Sequence, residues 1–161
     1  MSCISSASSA STVTLTTAEL LINKNLTIDG GASGVTVTRQ AGSPDFRIFN
    51  VAGGVTASIN GLTISNGKLS SLVGANMGAG IYNAGTLTVN SSTISGNLCD
   101  GFGAIGGGIC NGGTLTLSTS VVTGNVASSP AQNAGGGLTN YSGLMTVVNS
   151  TVSGNQTAGG S

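Results

Sequence analysis

Apolar residues alternate with small polar ones along most of the chain, in short runs such as TLTV at 86–89, TLTL at 114–117 and MTVV at 145–148. A period of two belongs to a strand with one buried face; a helix would repeat its apolar positions every three to four residues. Glycine and β-branched residues, both poor in helix interiors, interrupt nearly every remaining window. The one segment with helical leanings, AELLINKNL at 18–26, runs directly into the strand-like LTI. Strand is the better reading there as elsewhere.

The runs recur. GAGIYNAGTLTVNSSTISGN at 78–97, GGGICNGGTLTLSTSVVTGN at 106–125 and GGGLTNYSGLMTVVNSTVSGN at 135–155 are variants of one unit, and their markers Ile94, Val122 and Val152 lie 28 and 30 residues apart. Ile64 lies another 30 upstream, in NGLTISNG, where Asn and Gly are exchanged, and Ile28 in KNLTIDGG is an earlier member at looser spacing. Alternation puts Leu87, Val89 and Ile94 on one side and Thr86, Thr88 and Asn90 on the other. The equivalent inward sets are Leu115, Leu117 and Val122, then Met145, Val147 and Val152, each joined by Ile81, Ile109 or Leu138 after the glycines. No unit can bury four such residues alone, but units stacked ~4.8 Å apart form a continuous aliphatic column. The pattern therefore predicts an all-β chain, a single-stranded parallel β-helix (solenoid) of about five coils. Residues 1–11 form an N-terminal tail or partial cap and 12–161 the β-helix, degenerate to about 77 and regular over 78–161.

Glycine and asparagine fit the corners of such a coil. Glycine accepts positive φ and leaves room where a Cβ would clash, and Asn tolerates the left-handed region best among the other residues. Aligning the units on Asn gives two ladders of stacked amides: Asn50, Asn83, Asn111 and Asn140 after the first strand, and Asn97, Asn125 and Asn155 at the second corner. Amides stacked in this way can hydrogen-bond from coil to coil.

The pattern GGGIYNxGTLTLxxSTISGN resembles the repeats of right-handed parallel β-helix proteins of bacterial surfaces and secretions, including those with polymorphic outer-membrane-protein-like repeats. AELLINKNLTIDGGASGVTV and GVTASINGLTISNG look like the segments that lead into such repeats. The resemblance spans roughly 12–161 and implies right-handedness, an extracellular or cell-surface location and a structural or adhesive role. It departs from the family pattern at residues 1–11, where the charged helical cap is missing.

Composition narrows the function. Four Lys and Arg balance four Asp and Glu among 161 residues, so attraction to nucleic acid or an anionic membrane has no electrostatic source. No apolar run approaches 18 residues, and no membrane span is expected. The opening MSCISSASSAST lacks the basic and apolar regions of a secretion signal, which predicts a signal removed beforehand or a start inside a longer chain.

Three functional readings follow. The first is a structural or adhesive module that self-associates end to end, or that binds a surface glycan or protein; inserts at 68–77, 98–105 and 126–134 would crowd one edge and concentrate partner binding there. The second is an ice- or lattice-binding surface: Thr56, Thr86, Thr114 and Leu144 run beside Ser58, Thr88, Thr116 and Thr146 in a T-x-T array, a pattern that exposed strands also favour for its own sake. The third is a polysaccharide-active β-helix enzyme fragment, which needs carboxylates placed across a sugar. The acids Glu19, Asp29, Asp45 and Asp100 do not recur from unit to unit, histidine is absent, and the best polar cluster, Asp45 with Arg47, reads more simply as a loop ion pair. No catalytic residue, metal site or cofactor is expected. An outward column of Phe49, Tyr82, Cys110 and Thr139 begins aromatic but decays too fast to form a sugar platform. Of the three cysteines, Cys99 and Cys110 flank a glycine corner; a local disulfide and two free thiols both fit that spacing, and Cys3 has no evident partner.

Overall fold

The computed structural model describes residues 11–73, 76–129 and 135–158, so the tail at 1–10, Cys3 and parts of two inserts lie outside it. Every regular element among the described residues is a strand. β1 (Ser11–Leu15) comes first, followed by β2 (Leu20–Ile22), β3 (Leu26–Asp29) and β4 (Val35–Arg39). The next turn holds β5 (Phe49–Val51), β6 (Thr56–Asn60), β7 (Leu62–Ser65) and β8 (Lys68–Leu69). The third holds β9 (Ile81–Asn83), β10 (Thr86–Asn90), β11 (Thr93–Ser95) and β12 (Leu98–Asp100). The fourth holds β13 (Ile109–Asn111), β14 (Thr114–Ser118), β15 (Val121–Thr123) and β16 (Val126–Ser128). The fifth is β17 (Leu138–Asn140), β18 (Leu144–Val148), β19 (Thr151–Ser153) and β20 (Gln156–Ala158).

Each strand pairs in parallel with its equivalent one turn away, which makes the chain a β-solenoid of about five turns. Four sheets form its walls: a six-stranded one in the order β1-β4-β7-β11-β15-β19, five-stranded ones around β10 and β9, and a four-stranded one around β12. This fourth wall is a correction to the sequence reading. KL, LCD and VAS, which open the inserts expected at 68–77, 98–105 and 126–134, are in-register strands, pairing Leu98 with Lys68 and Val126, and QTA adds a fourth strand through Gln156 beside Val126.

The core follows the alternation. Ile59, Ile64, Ile81, Leu87, Val89, Ile94, Ile109, Leu115, Leu117 and Val122 pack into one fully or almost fully buried column. A second, smaller cluster of Ala79, Cys99 and Ala104 sits behind the fourth wall. Its small residues follow from tight spacing: a Cβ built on Gly67 would come 1.9 Å from the Ala79 carbonyl oxygen.

The glycines of the repeat are stacking positions as well as corners. A Cβ on Gly113 would lie 2.1 Å from the Gly85 oxygen, and one on Gly143 would lie 2.0 Å from the Gly113 oxygen. Gly85, Gly113 and Gly143 thus form a column in which successive backbones approach closer than any side chain permits. At the corner after the β7 and β11 strands, Asn66 (φ 59°) takes the left-handed place held by Gly96 (63°), Gly124 (62°) and Gly154 (63°). The Asn–Gly exchange noted in the sequence is therefore a swap within one turn.

Candidate functional surfaces

Three ladders of side chains tie coil to coil. At the corner before β14, Asn83 Nδ2 donates to Asn111 Oδ1 (2.7 Å), and Asn111 Nδ2 donates to Asn140 Oδ1 (2.7 Å). At the corner after β11, Asn97 Nδ2 donates to Asn125 Oδ1 and Asn125 Nδ2 to Asn155 Oδ1, both at 2.9 Å. The backbone amides of Asn97 and Asn125 donate to the same two acceptors, at 3.1 and 3.0 Å. Gly67, in the Asn position of the second turn, donates its amide to Asn97 Oδ1 (2.9 Å). Asn83, Asn97, Asn111 and Asn125 are fully buried, so each amide satisfies groups that water cannot reach.

Asn50 does not belong to the first ladder. It pairs in register with Tyr82, while Val51 stands beside Asn83 and Phe49 beside Ile81. Alignment on Asn is one residue off here, because the register that buries both Phe49 and Val51 outweighs one that would bury an amide. The same slip removes Phe49 from the proposed outward aromatic column, which instead runs Leu21, Asn50, Tyr82, Cys110, Thr139.

A third ladder was not read from the sequence. Ser92 Oγ accepts the Leu62 amide (3.2 Å), Ser120 Oγ the Ser92 amide (3.1 Å) and Ser150 Oγ the Ser120 amide (3.1 Å). Each hydroxyl donates to the carbonyl two residues before it, of Asn90, Ser118 or Val148. Ser92 and Ser120 are buried, and the residue ahead of each serine is left-handed: Ser91 (49°), Thr119 (49°) and Asn149 (48°). The serine at a fixed distance before S/T-G-N was a visible signal, hidden by the high serine content around it.

Outside, two walls present hydroxyl arrays. On the β10 sheet, Thr56, Thr86, Thr114 and Leu144 align, beside Ser58, Thr88, Thr116 and Thr146, with Thr27 extending the second column. Leu144 and Val148 close this array with exposed apolar side chains, and Asp29 occupies its first strand. The six-stranded sheet carries a longer one. Its first outward column is Thr12, Thr36, Thr63, Thr93, Val121 and Thr151. Its second is Thr14, Thr38, Ser65, Ser95, Thr123 and Ser153.

Outside the hydroxyl columns, Glu19 pairs with Arg47 and Asp45 with Lys68. Asp45 and Arg47, adjacent in SPDFRIF, do not pair with each other. Arg47 Nε lies 2.9 Å from Glu19 Oε2, its guanidinium is 5.2 Å from the Tyr82 ring centre, and its Nη1 donates to the Met77 carbonyl (3.0 Å). Asn50 Nδ2 donates to the other Glu19 oxygen at 2.7 Å. Asp45 is held by Lys68 Nζ (3.2 Å) and by the Ser70 hydroxyl. Burial pushes its carboxyl pKa up, but the Ser70 and Lys68 contacts outweigh that and leave it below the usual value. Asp29 Oδ1 accepts the Gly31 amide (2.7 Å), which is turn capping. No group of three His, Cys, Asp or Glu among the described residues could hold a metal ion.

Cys99 and Cys110 are free, buried thiols in this structure and not a disulfide. Cys99 faces the small core behind the fourth wall, with Sγ 3.8 Å from the Gly106 oxygen, whereas Cys110 stands in the outward column of another wall. Burial raises their pKa values to about 12 and about 11.

The fifth turn keeps the register but not the burial. Val147 and Val152, which occupy the inward columns, are 44% and 47% exposed, where Leu117 and Val122 are fully buried. Comparison with protein-family models, with curated proteins and with solved structures found no match to this chain.

Proposed function

We propose that the chain is a structural and adhesive β-helix module of the cell surface or extracellular space that extends by stacking end to end on a second copy of itself. One observation carries this reading. The fifth turn presents all four strands β17–β20 in register, with ladder residues Asn140, Ser150 and Asn155 in place and its inward valines uncovered. Such an edge accepts a further parallel coil from any chain that supplies one, through its main-chain groups and its apolar column. The charge-poor surface favours the same outcome, since little repulsion opposes approach. The finer kinship, to repeats of the polymorphic outer-membrane-protein type, rests on the GGGIYN and STISGN motifs and belongs to this proposal.

Light-scattering chromatography over a concentration series tests it. The wild-type chain is expected to shift from monomer to longer assemblies as concentration rises. Val152→Lys, which puts a cation into the uncovered apolar column, is expected to stay monomeric with unchanged β-sheet circular dichroism. A wild-type chain that remains monomeric at every concentration, or assemblies unaffected by Val152→Lys, would overturn the reading.

A further inference from the structure

We propose that the six-stranded wall is an ice-binding face, independent of the ends of the solenoid. Of its twelve outward positions in two columns, eleven carry a hydroxyl, and the exception, Val121, keeps the branched shape of threonine without the oxygen. Parallel stacking spaces the rows by ~4.8 Å, and the two columns are two residues apart, or about 6.6 Å. Six rows make a strip about 24 Å long, reading T-x-T in two rows, T-x-S in three and V-x-T in one, at fixed intervals. Flat sheets over many strands are stabilised by side-chain ladders, and two such ladders flank this wall, through Asn97, Asn125 and Asn155 and through Ser92, Ser120 and Ser150.

The chemistry selects water as the occupant. No charged side chain stands in either column, so a polyelectrolyte or mineral surface has nothing to pair with. No aromatic side chain stands there either, and the sugar rings of a crystalline polysaccharide would find no π-face to stack on. What remains is an array of small hydroxyls, with a methyl beside the oxygen at the eight threonines and none at Ser65, Ser95 and Ser153. The threonines and Val121 are β-branched and stiff at χ1, so they lose little side-chain entropy on binding. Of the hydroxyls in the two columns only that of Thr38 is bonded within the protein, accepting from Asn66 Nδ2 at 2.9 Å and lying 3.5 Å from the Arg39 carbonyl. The others are left to water. Methyls that cannot hydrogen-bond and hydroxyls that can, on one lattice, hold first-shell water in a repeating arrangement that an ice plane can continue. Each contact is weak, and adsorption depends on many of them engaging together.

The β10 wall provides the internal control. It has its own T-x-T pairs, but Leu144 breaks the first column, and Asp29 and Val148 stand in the column alongside. The test is thermal hysteresis and inhibition of ice recrystallisation by the purified chain, with Thr93→Tyr and Thr88→Tyr as matched variants. Each places a bulky ring at the middle of one wall, and far-UV circular dichroism with thermal melting establishes that both remain folded. The expected result is activity in the wild type, loss in Thr93→Tyr and retention in Thr88→Tyr. Absence of both activities in the folded wild type overturns the proposal. So does loss in Thr88→Tyr with retention in Thr93→Tyr, which would move the ice contact to the β10 wall. Retention of wild-type activity by monomeric Val152→Lys is also expected, and separates this face from end-to-end assembly.

Discussion

Replacing Asn125 by alanine removes the best-connected side chain of the interior ladders. Its Oδ1 accepts from the Asn97 amide (3.1 Å) and from Asn97 Nδ2 (2.9 Å). Its Nδ2 reaches the carbonyls of Ile94 (2.9 Å) and Thr123 (3.1 Å) and Asn155 Oδ1 (2.9 Å), three acceptors shared between two protons. The alanine variant leaves a buried main-chain N–H at Asn97 without an acceptor, worth about 1–3 kcal/mol, and forfeits several further bonds with a net value of roughly 1 kcal/mol each. Because the remaining groups share protons and partners, the expected loss is about 3–5 kcal/mol, a large part of a typical native stability of about 5–15 kcal/mol. Asn90→Ala is the comparison: this half-buried side chain accepts one bond, from Ser118 Oγ at 2.9 Å, and its removal is expected to cost under about 1 kcal/mol. Guanidinium unfolding followed by β-sheet circular dichroism measures both. The slope must be compared as well as the midpoint, since a solenoid can lose coils separately. Asn125→Asp adds a sign test. Burial raises a carboxyl's folded pKa above its unfolded value, so its protonated form is the one the fold tolerates. The stability of that variant should be greatest at low pH and fall as pH rises through the raised pKa, while Asn125→Ala shows no such added dependence. If Asn125→Ala costs no more than Asn90→Ala, the ladder is decoration and the reasoning fails.

Two further outcomes are expected. Thr119 is exposed and β-branched, at φ 49°, where a Cβ is strained by about 1–2 kcal/mol. Thr119→Gly should therefore raise stability by about 0.5–1 kcal/mol after glycine's own entropic cost, seen as a higher melting temperature, whereas Thr116→Gly in the adjacent strand should lower it. Cys99 and Cys110, with thiols raised by burial to about 12 and about 11, should resist a disulfide-exchange reagent at pH 8 in a Cys3→Ser background and react together on unfolding. The raised values also mean that their contribution to stability is intact below the unfolded thiol range near 9 and is lost as pH climbs through 11 to 12. Rapid labelling of either thiol in the folded protein would contradict their burial.

Much of the solenoid was legible in the chain, because a repeat that cannot bury its own apolar face has to stack. Leu87, Val89 and Ile94 needed only alternation to be placed inside, and Asn97, Asn125 and Asn155 needed only the repeated S/T-G-N to be placed at one corner. The fold class, the identity of the inward residues in the regular units and the role of the glycines were thus determined locally. What the tertiary structure decided is register between turns, since spatial neighbours lie about 30 residues apart and the intervening corners vary in length. Register expelled Asn50 from its ladder in favour of Val51, because a strand shifted by one residue exchanges its inward and outward sets. It turned KL, LCD, VAS and QTA into a fourth wall, although none alternates strongly enough to be read alone. It also assembled the serine ladder and the six-stranded hydroxyl face, whose members are ordinary serines and threonines until the neighbouring turns set their equivalents beside them.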